Sequence, residues 1–312
     1  MNTIEIGDCR EIMRRWAGEG VKAQTCVTSP PYFDLRDYGH PGQIGLEETP
    51  EQYIAAMVDV FRCVRDVLAD DGTLWLNIGD SYARQGGKHS DQPRNWDGRK
   101  KDAGAMHATR HVDNLGDTYK PKDLIGIPWM LAFALRADGW YLRQDIIWHK
   151  SNPMPESVRD RCTKAHEYIF LLSKSERYYF DSEAMKEPAV TNDTRRPYGS
   201  PGANMLDKRG AQGKGEQRTN TDGTLRNRRS VWTIPTRPYK GAHFATFPPA
   251  LIEPCILAGS KPADIVLDPF MGSGTTAQVA QQLGRQYIGC ELNEQYVCLQ
   301  TKRTEQKVLL LA

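Results

Sequence analysis

The chain has 312 residues, with 41 Lys and Arg against 39 Asp and Glu for a formal net charge of +2, a length that suits one large domain with insertions or two smaller ones. Hydrophobic residues make up 39% and charged residues 26% of the chain. No stretch approaches the roughly 20 apolar residues of a membrane helix, and 13 Tyr, 8 Phe and 7 Trp exclude a mainly disordered chain.

Taken in order, Thr3–Ile6 reads as a short strand and Asp8 begins a helix running toward Trp16. The start of the chain has no signal-peptide core, so a cytoplasmic protein is expected. Gln24–Thr28 is a second strand, ending at Ser29-Pro30-Pro31-Tyr32. Thr49-Pro50 opens a helix in good capping chemistry, with Tyr53, Met57, Val60, Phe61, Val64 and Leu68 at helical spacing. Asp71-Gly72 predicts a turn into the strand Thr73–Ile78. Asp123–Ala137 predicts a helix and Tyr141–Trp148 a strand, and Glu167–Ser173 with Tyr178–Phe180 predicts a strand pair. Further on come the helix Pro248–Ala258, the strand Asp264–Leu267, the helix Thr275–Leu283, the strand Gln286–Cys290 and a last helix from Asn293. Alternating strands and helices imply an α/β fold, a mostly parallel sheet covered on both faces.

The near-neutral charge conceals an uneven distribution. Between Arg195 and Lys240 there are 11 Lys and Arg against 3 Asp and Glu, a local balance of +8 that leaves −6 for the rest. A second polar stretch, Arg84 to Lys120, carries 8 basic and 5 acidic residues with His89, His107 and His111. Loops this long are functional or disordered, and the positive excess points to a polyanion. The seven cysteines, at 9, 26, 63, 162, 255, 290 and 298, form no Cys-x-x-Cys pair, which predicts reduced, mostly buried thiols and neither a disulfide framework nor a zinc site.

Two segments carry chemistry. Asp268-Pro269-Phe270-Met271-Gly272-Ser273-Gly274-Thr275-Thr276 lies between a strand and a helix. Its glycines let a backbone approach a ligand, and the helix start offers free N–H groups. Glu291 follows 23 residues after Asp268, at the next strand end, where an acid grips a ribose diol. The absence of a Gly-Lys-Ser/Thr turn argues against a nucleoside triphosphate, while Gly-x-Gly-x-x-Ala on its own also fits a dinucleotide. The other segment is Thr28-Ser29-Pro30-Pro31-Tyr32. Its proline pair forces a rigid, extended exit from the sheet and leaves backbone carbonyls as fixed acceptors. Ser29 adds a hydroxyl and Tyr32 a flat ring, and acceptors beside a stacking face suit a planar base with an exocyclic amino group.

With these two segments in this order, the chain resembles the β arrangement of the S-adenosylmethionine-dependent DNA amino-methyltransferases. Their catalytic motif Asp/Asn/Ser-Pro-Pro-Tyr/Phe is matched by Ser29, Pro30, Pro31 and Tyr32, and their cofactor motif by Asp268 to Thr276. Gly7-Asp8, His243-Phe244-Ala245-Thr246-Phe247-Pro248 and Gly289-Cys290-Glu291 match as well. The resemblance implies a seven-stranded, mostly parallel Rossmann-like methyltransferase sheet with one antiparallel edge strand, and inserted DNA-recognition loops. Residues 1–83 and 121–185 would form the catalytic half, 84–120 a basic insertion, 186–240 the target-recognition region and 241–312 the cofactor half.

It further implies that Asp268, Phe270, Gly272, Ser273 and Gly274 surround the methionine part and sulfonium of S-adenosylmethionine, with Pro269 and Thr275 also binding the cofactor. Glu291 would accept from the ribose hydroxyls and Asp8 from the adenine amino group, while His243, Phe244, Thr246 and Phe247 close the pocket. Asp268 would act either by orienting backbone N–H groups or by binding the ammonium through water. Ser29 and the Pro30 carbonyl would accept from the amino group of a base flipped out of double-stranded DNA, stacked on Tyr32, with no metal. Arg195, Arg196, Arg226, Arg228, Arg229 and Arg237 would contact DNA, and the family likeness implies a homodimer. Ser-Pro-Pro-Tyr is commoner among cytosine N4 enzymes, whereas adenine N6 methylation is the more frequent bacterial activity, and the balance leans slightly to adenine. An RNA substrate is disfavoured because no aromatic platform motif is present, and a non-catalytic DNA-binding protein is disfavoured by the two intact motifs.

Overall fold

The computed structural model describes residues 1–37, 39–83, 118–188, 225–236 and 247–305. Its strands are β1 (Asn2–Ile6), β2 (Ala23–Thr28), β3 (Leu68–Ile78), β4 (Tyr141–His149), β5 (His166–Ser173), β6 (Lys186–Pro188), β7 (Leu225–Asn227), β8 (Val231–Thr233), β9 (Ile265–Asp268) and β10 (Gln286–Glu291). Eight of them form one sheet in the order β1-β10-β9-β2-β3-β5-β4-β8, and β6 pairs with β7 in a separate ribbon. The expected mostly parallel methyltransferase sheet is present, with two differences in detail. The eighth strand is β8, three residues that pair parallel with β4. The single reversed strand, β5, sits inside the sheet between β3 and β4, antiparallel to both, rather than at an edge.

The first two helices form where cap and periodicity agree. In α1 (Cys9–Gly18) the Asp8 carboxylate accepts the Arg10 N–H, and Cys9, Ile12, Met13 and Trp16 make one buried face. In α2 (Pro50–Val67) Thr49 caps and Pro50 occupies the first turn, with Tyr53, Met57, Val60, Phe61 and Val64 buried. The next helix starts later than its periodicity predicts: α3 spans Ile127–Ala137. Gly126 holds a left-handed φ of 86°, and the cap comes from far away, since Asp80 Oδ1 accepts the N–H groups of Gly126 and Ile127 at 2.9 and 3.0 Å.

The apolar faces of α1, α2 and α3 fill the core on one side of the sheet. On the other side lie α4 (Pro249–Gly259) and α5 (Thr275–Gln282). A 3-10 turn, Glu294–Tyr296, leads into α6 (Val297–Glu305). None of the described helices is long and apolar enough to cross a membrane. All seven cysteines are free, and Cys162 and Cys298 are exposed.

Two other expectations change. Leu68–Ile78 is one strand with a bulge, its pairing passing from Ala23↔Leu68 to Thr25↔Thr73, so Asp71 and Gly72 lie inside it. Tyr178–Phe180 forms no strand. The Tyr179 N–H reaches the Asp71 carbonyl at 2.9 Å, and the Phe180 ring stacks 6.3 Å from Trp75; packing, not a ladder, accounts for this aromatic run.

Candidate active site

Four neighbouring strands, β1, β10, β9 and β2, end at the same edge of the sheet, because all four run parallel. From β9 the chain proceeds toward β10, and from β2 toward β3 on the opposite side. The two connections diverge, and between them lies the switch point at which open α/β sheets form their ligand crevice. Asp8, Glu291, Asp268 and Ser29 therefore come together from the two ends of the chain.

Asp268 closes the join. Its carboxylate is 1% exposed and accepts from the Thr28 hydroxyl at 2.7 Å, the Thr276 hydroxyl at 2.6 Å and the Phe270 N–H at 3.0 Å. Burial pushes it up to about 6 against these hydrogen bonds. One of those partners, the Phe270 N–H, belongs to the backbone of the turn.

The turn that follows is fixed from several sides. Gly272 and Gly274 hold positive φ of 52° and 85°; a side chain at Gly274 would also meet Gln300 Cα at 3.2 Å. From α6, Gln300 Nε2 donates to the Gly272 carbonyl at 2.8 Å and the Arg303 guanidinium donates to the Thr275 hydroxyl. The Gly272 N–H donates to Glu291 Oε2 at 2.7 Å, and the Asn293 N–H to Oε1 at 2.9 Å. Burial lifts Glu291 to about 6 as well. The Ser273 hydroxyl is buried with no hydrogen-bond partner among the described residues.

Asp8 lies beside this cluster through the bond from the Gly7 N–H to the Glu291 carbonyl, 2.8 Å. Its own carboxylate caps α1 and takes the Arg10 guanidinium, which holds it below the usual carboxylate range. Phe247 is half-buried against the α4 side of the core, Pro269 is buried, and Phe270 is half-buried. His243, Phe244 and Thr246 lie outside the described residues.

At the diproline corner the Pro31 carbonyl accepts from Tyr53 Oη at 2.9 Å, while no hydrogen bond among the described residues reaches the Pro30 carbonyl. Ser29 Oγ lies 3.3 Å from Tyr32 Oη. Tyr32 Oη in turn donates to Glu167 Oε2 at 2.7 Å, and burial, reinforced by that carboxylate, raises the phenol well above its ordinary value. The ring fits because residue 79 is glycine: a Cβ there would lie 2.7 Å from Tyr32 Cε2. Asn77 Nδ2 also donates to Glu167 Oε2, at 3.2 Å, and Lys150 Nζ pairs with Oε1.

Sequence reasoning gave Glu167, Asn77 and Lys150 no role. Each is a single polar residue on or beside a strand, and the only signal was a polar pair, His166-Glu167, opening an otherwise apolar run. Of the arginines expected to contact DNA, Arg226 and Arg229 both donate to Glu187 Oε1 at 3.0 Å, and Arg228 lies over the Trp232 ring at 4.9 Å. Arg195, Arg196 and Arg237 lie outside the described residues.

Known proteins resemble this chain over most of its length. The family model described as DNA methylase matches residues 23–302. The chain is 50% identical over 301 residues to the Type II methyltransferase M.SmaI of Serratia marcescens, covering 96% of this chain and 89% of that one. It is 47% identical over 303 residues to M.Cfr9I of Citrobacter freundii, covering 97% and 87%. Among solved structures, the cytosine-N4-specific PvuII DNA methyltransferase matches with a TM-score of 0.61 at 18% identity, over 97% of this chain and 86% of that one. The M1.HpyAVI–SAM complex matches with a TM-score of 0.54 at 18% identity, over 97% and 99%. At such identities these structures speak for the fold alone.

Proposed function

The chain belongs to the DNA methylase family, and on that premise we propose that it moves a methyl group from S-adenosylmethionine to the exocyclic amino group of a base flipped out of duplex DNA. The observation that carries this reading is the hydrogen bond between Thr28 and Asp268. It sets the diproline corner beside the glycine turn at one crevice.

The residues present fit the cofactor. The buried, unpartnered Ser273 hydroxyl is a polar group awaiting a ligand. Glu291 would accept from the ribose hydroxyls with the lone pairs its two backbone bonds leave free. Asp8 would take the adenine amino group, and Phe247 and Phe270 would wall the site. S-adenosylmethionine supplies an electrophilic methyl group on a sulfonium.

The acceptor nitrogen is a poor nucleophile because its lone pair is delocalised into the base. Ser29 Oγ and the Pro30 carbonyl would each accept one of its N–H bonds, drawing it toward tetrahedral geometry and aiming the lone pair at the methyl group. The same acceptors stabilise positive charge as it develops on nitrogen. Tyr32, pinned by its hydroxyl and backed by Gly79, would receive the base against its ring.

Adenine N6 and cytosine N4 remain the two acceptors. Adenine is favoured only by its frequency among bacteria. The serine at position 29, a hydroxyl where most adenine enzymes carry a carboxylate, is the specific observation for cytosine N4. Residues 186–240 and the basic insertion 84–120 are proposed to hold the DNA, and the chain to act as a homodimer by its family likeness and in a restriction–modification setting by the Type II names of its relatives. The test is transfer of labelled methyl groups to unmethylated genomic DNA, followed by mass spectrometry of the nucleosides. N4-methylcytosine or N6-methyladenine is expected. Absence of label in DNA, with label in RNA or nowhere, would overturn the proposal.

A further inference from the structure

Behind the diproline corner lies a chain of hydrogen bonds that leads away from the crevice. Ser29 Oγ, Tyr32 Oη and Glu167 Oε2 follow one another at 3.3 and 2.7 Å. They come from the exit of β2 and the start of β5, and the reversed direction of β5 is what brings its first residues to the edge where the parallel strands end. The Glu167 and Lys150 side chains are 15% and 20% exposed. Lys150 also lies over the Trp148 ring at 4.6 Å, and Asn77 Nδ2 is fixed by a second bond to the Tyr168 carbonyl at 3.1 Å.

The partners set the direction of the chain. A carboxylate paired with an ammonium only accepts hydrogen bonds. Tyr32 has one hydroxyl hydrogen and gives it to Glu167, its shortest contact. The Tyr32 oxygen can then only accept from Ser29, so Ser29 turns its hydrogen inward and leaves lone pairs facing the crevice. Reversal of this order would point the Ser29 hydrogen at the amino group, donor against donor.

We propose that Glu167 is the positioning residue of the transfer step, orienting the Ser29 hydroxyl through Tyr32 and receiving the proton that the methylated nitrogen releases. This rests on the function proposed above. As the nitrogen lone pair forms the new N–C bond, the S–C bond breaks with its electron pair going to sulfur. The nitrogen proton passes to Ser29 Oγ, the Ser29 proton to Tyr32 Oη, and the Tyr32 proton to Glu167 Oε2. The carboxylate becomes a carboxylic acid and no other reactant is needed.

The experiment compares wild type, Glu167→Gln and Tyr32→Phe in single-turnover methyl transfer, with cofactor and DNA affinities measured separately by calorimetry. In Glu167→Gln the carbonyl oxygen stays with Lys150, so the amide NH2 faces Tyr32 and reverses the chain. Tyr32→Phe keeps the ring and the Glu167–Lys150 pair but removes the link. Each variant should lose on the order of 100-fold in transfer rate while both affinities stay within about twofold. On a Ser29→Ala background, Glu167→Gln should cost nothing further, because the group it orients is gone. Wild-type rates in both single variants, or an equal loss with and without Ser29, would overturn the proposal. Loss of cofactor affinity in step with rate in both would make the role of Glu167 structural and overturn it too. A wild-type chain that labels no DNA would instead remove the function on which the inference rests.

Discussion

Thr28 and Asp268 lie 240 positions apart in the chain, and the hydroxyl of the first donates to the carboxylate of the second at 2.7 Å. The bond joins the last residue of β2 to the last residue of β9, and Ser29 is the next residue along. Thr28→Val keeps the shape and removes the donor. A lost hydrogen bond to a charged group costs about 1.5–3 kcal/mol, so the variant should unfold at lower urea and bind S-adenosylmethionine more weakly. Unchanged values for both would show that the join is held elsewhere.

Ser29→Ala separates chemistry from binding. Among the described residues the hydroxyl hydrogen-bonds to Tyr32 and to no residue of the glycine turn, so its removal should leave that turn undisturbed. The transfer rate should fall on the order of 100-fold, with cofactor affinity near that of wild type in equilibrium titration.

Gly79→Ala places a methyl group where the Tyr32 ring now lies. The ring must move, and misplacement of about 1 Å costs up to about 100-fold in rate. Single-turnover transfer should fall, with the cofactor still bound; a normal rate would mean that the position of Tyr32 does not matter.

Glu291 carries a pH signature. Burial lifts it from an ordinary 4.5 to about 6 in the folded chain, so the folded state binds more protons than the unfolded state between those values. Its contribution to stability is fully present below about 4.5 and is lost as pH rises through about 6. At about 1.4 kcal/mol per pKa unit, the loss is on the order of 2 kcal/mol. Glu291→Gln does not titrate, so urea unfolding of the cofactor-free proteins should show wild type losing stability relative to the variant between pH 4.5 and 6. A constant difference across that range would contradict the assignment.

DNA affinity should depend steeply on salt, given the balance of +8 between Arg195 and Lys240. Between 50 and 200 mM salt a drop on the order of 10³-fold is expected. A flat plot of log K against log salt would remove the phosphate contacts.

What the sequence made legible is what is encoded locally. Thr49-Pro50 and Asp8 announce their helices because cap and apolar spacing fall within a few residues, and Pro30-Pro31 and Gly272-Ser273-Gly274 announce backbone geometry by themselves. The start of α3 was hidden because its cap, Asp80, lies more than 40 positions away from it. Glu167 was hidden for a similar reason: its meaning depends on β5 running backward between β3 and β4, which no pattern within β5 states. Composition counted Arg226 and Arg229 as free charge, whereas Glu187, on the facing strand of a small ribbon, takes both.

The ladder between β4 and β5 runs to its last pair, His149 with His166, and the Lys150 N–H still reaches the Ala165 carbonyl at 2.8 Å, so the segment 151–164 hangs from a closed hinge. Both of its feet are anchored, and Lys150 and Glu167 belong to the anchorage rather than to the span. That base holds the acid to its tyrosine, while the span is tied elsewhere, Asn152 to Thr236 and Asp160 to Lys122. The base of this hairpin, not its tip, thus decides where the acid stands.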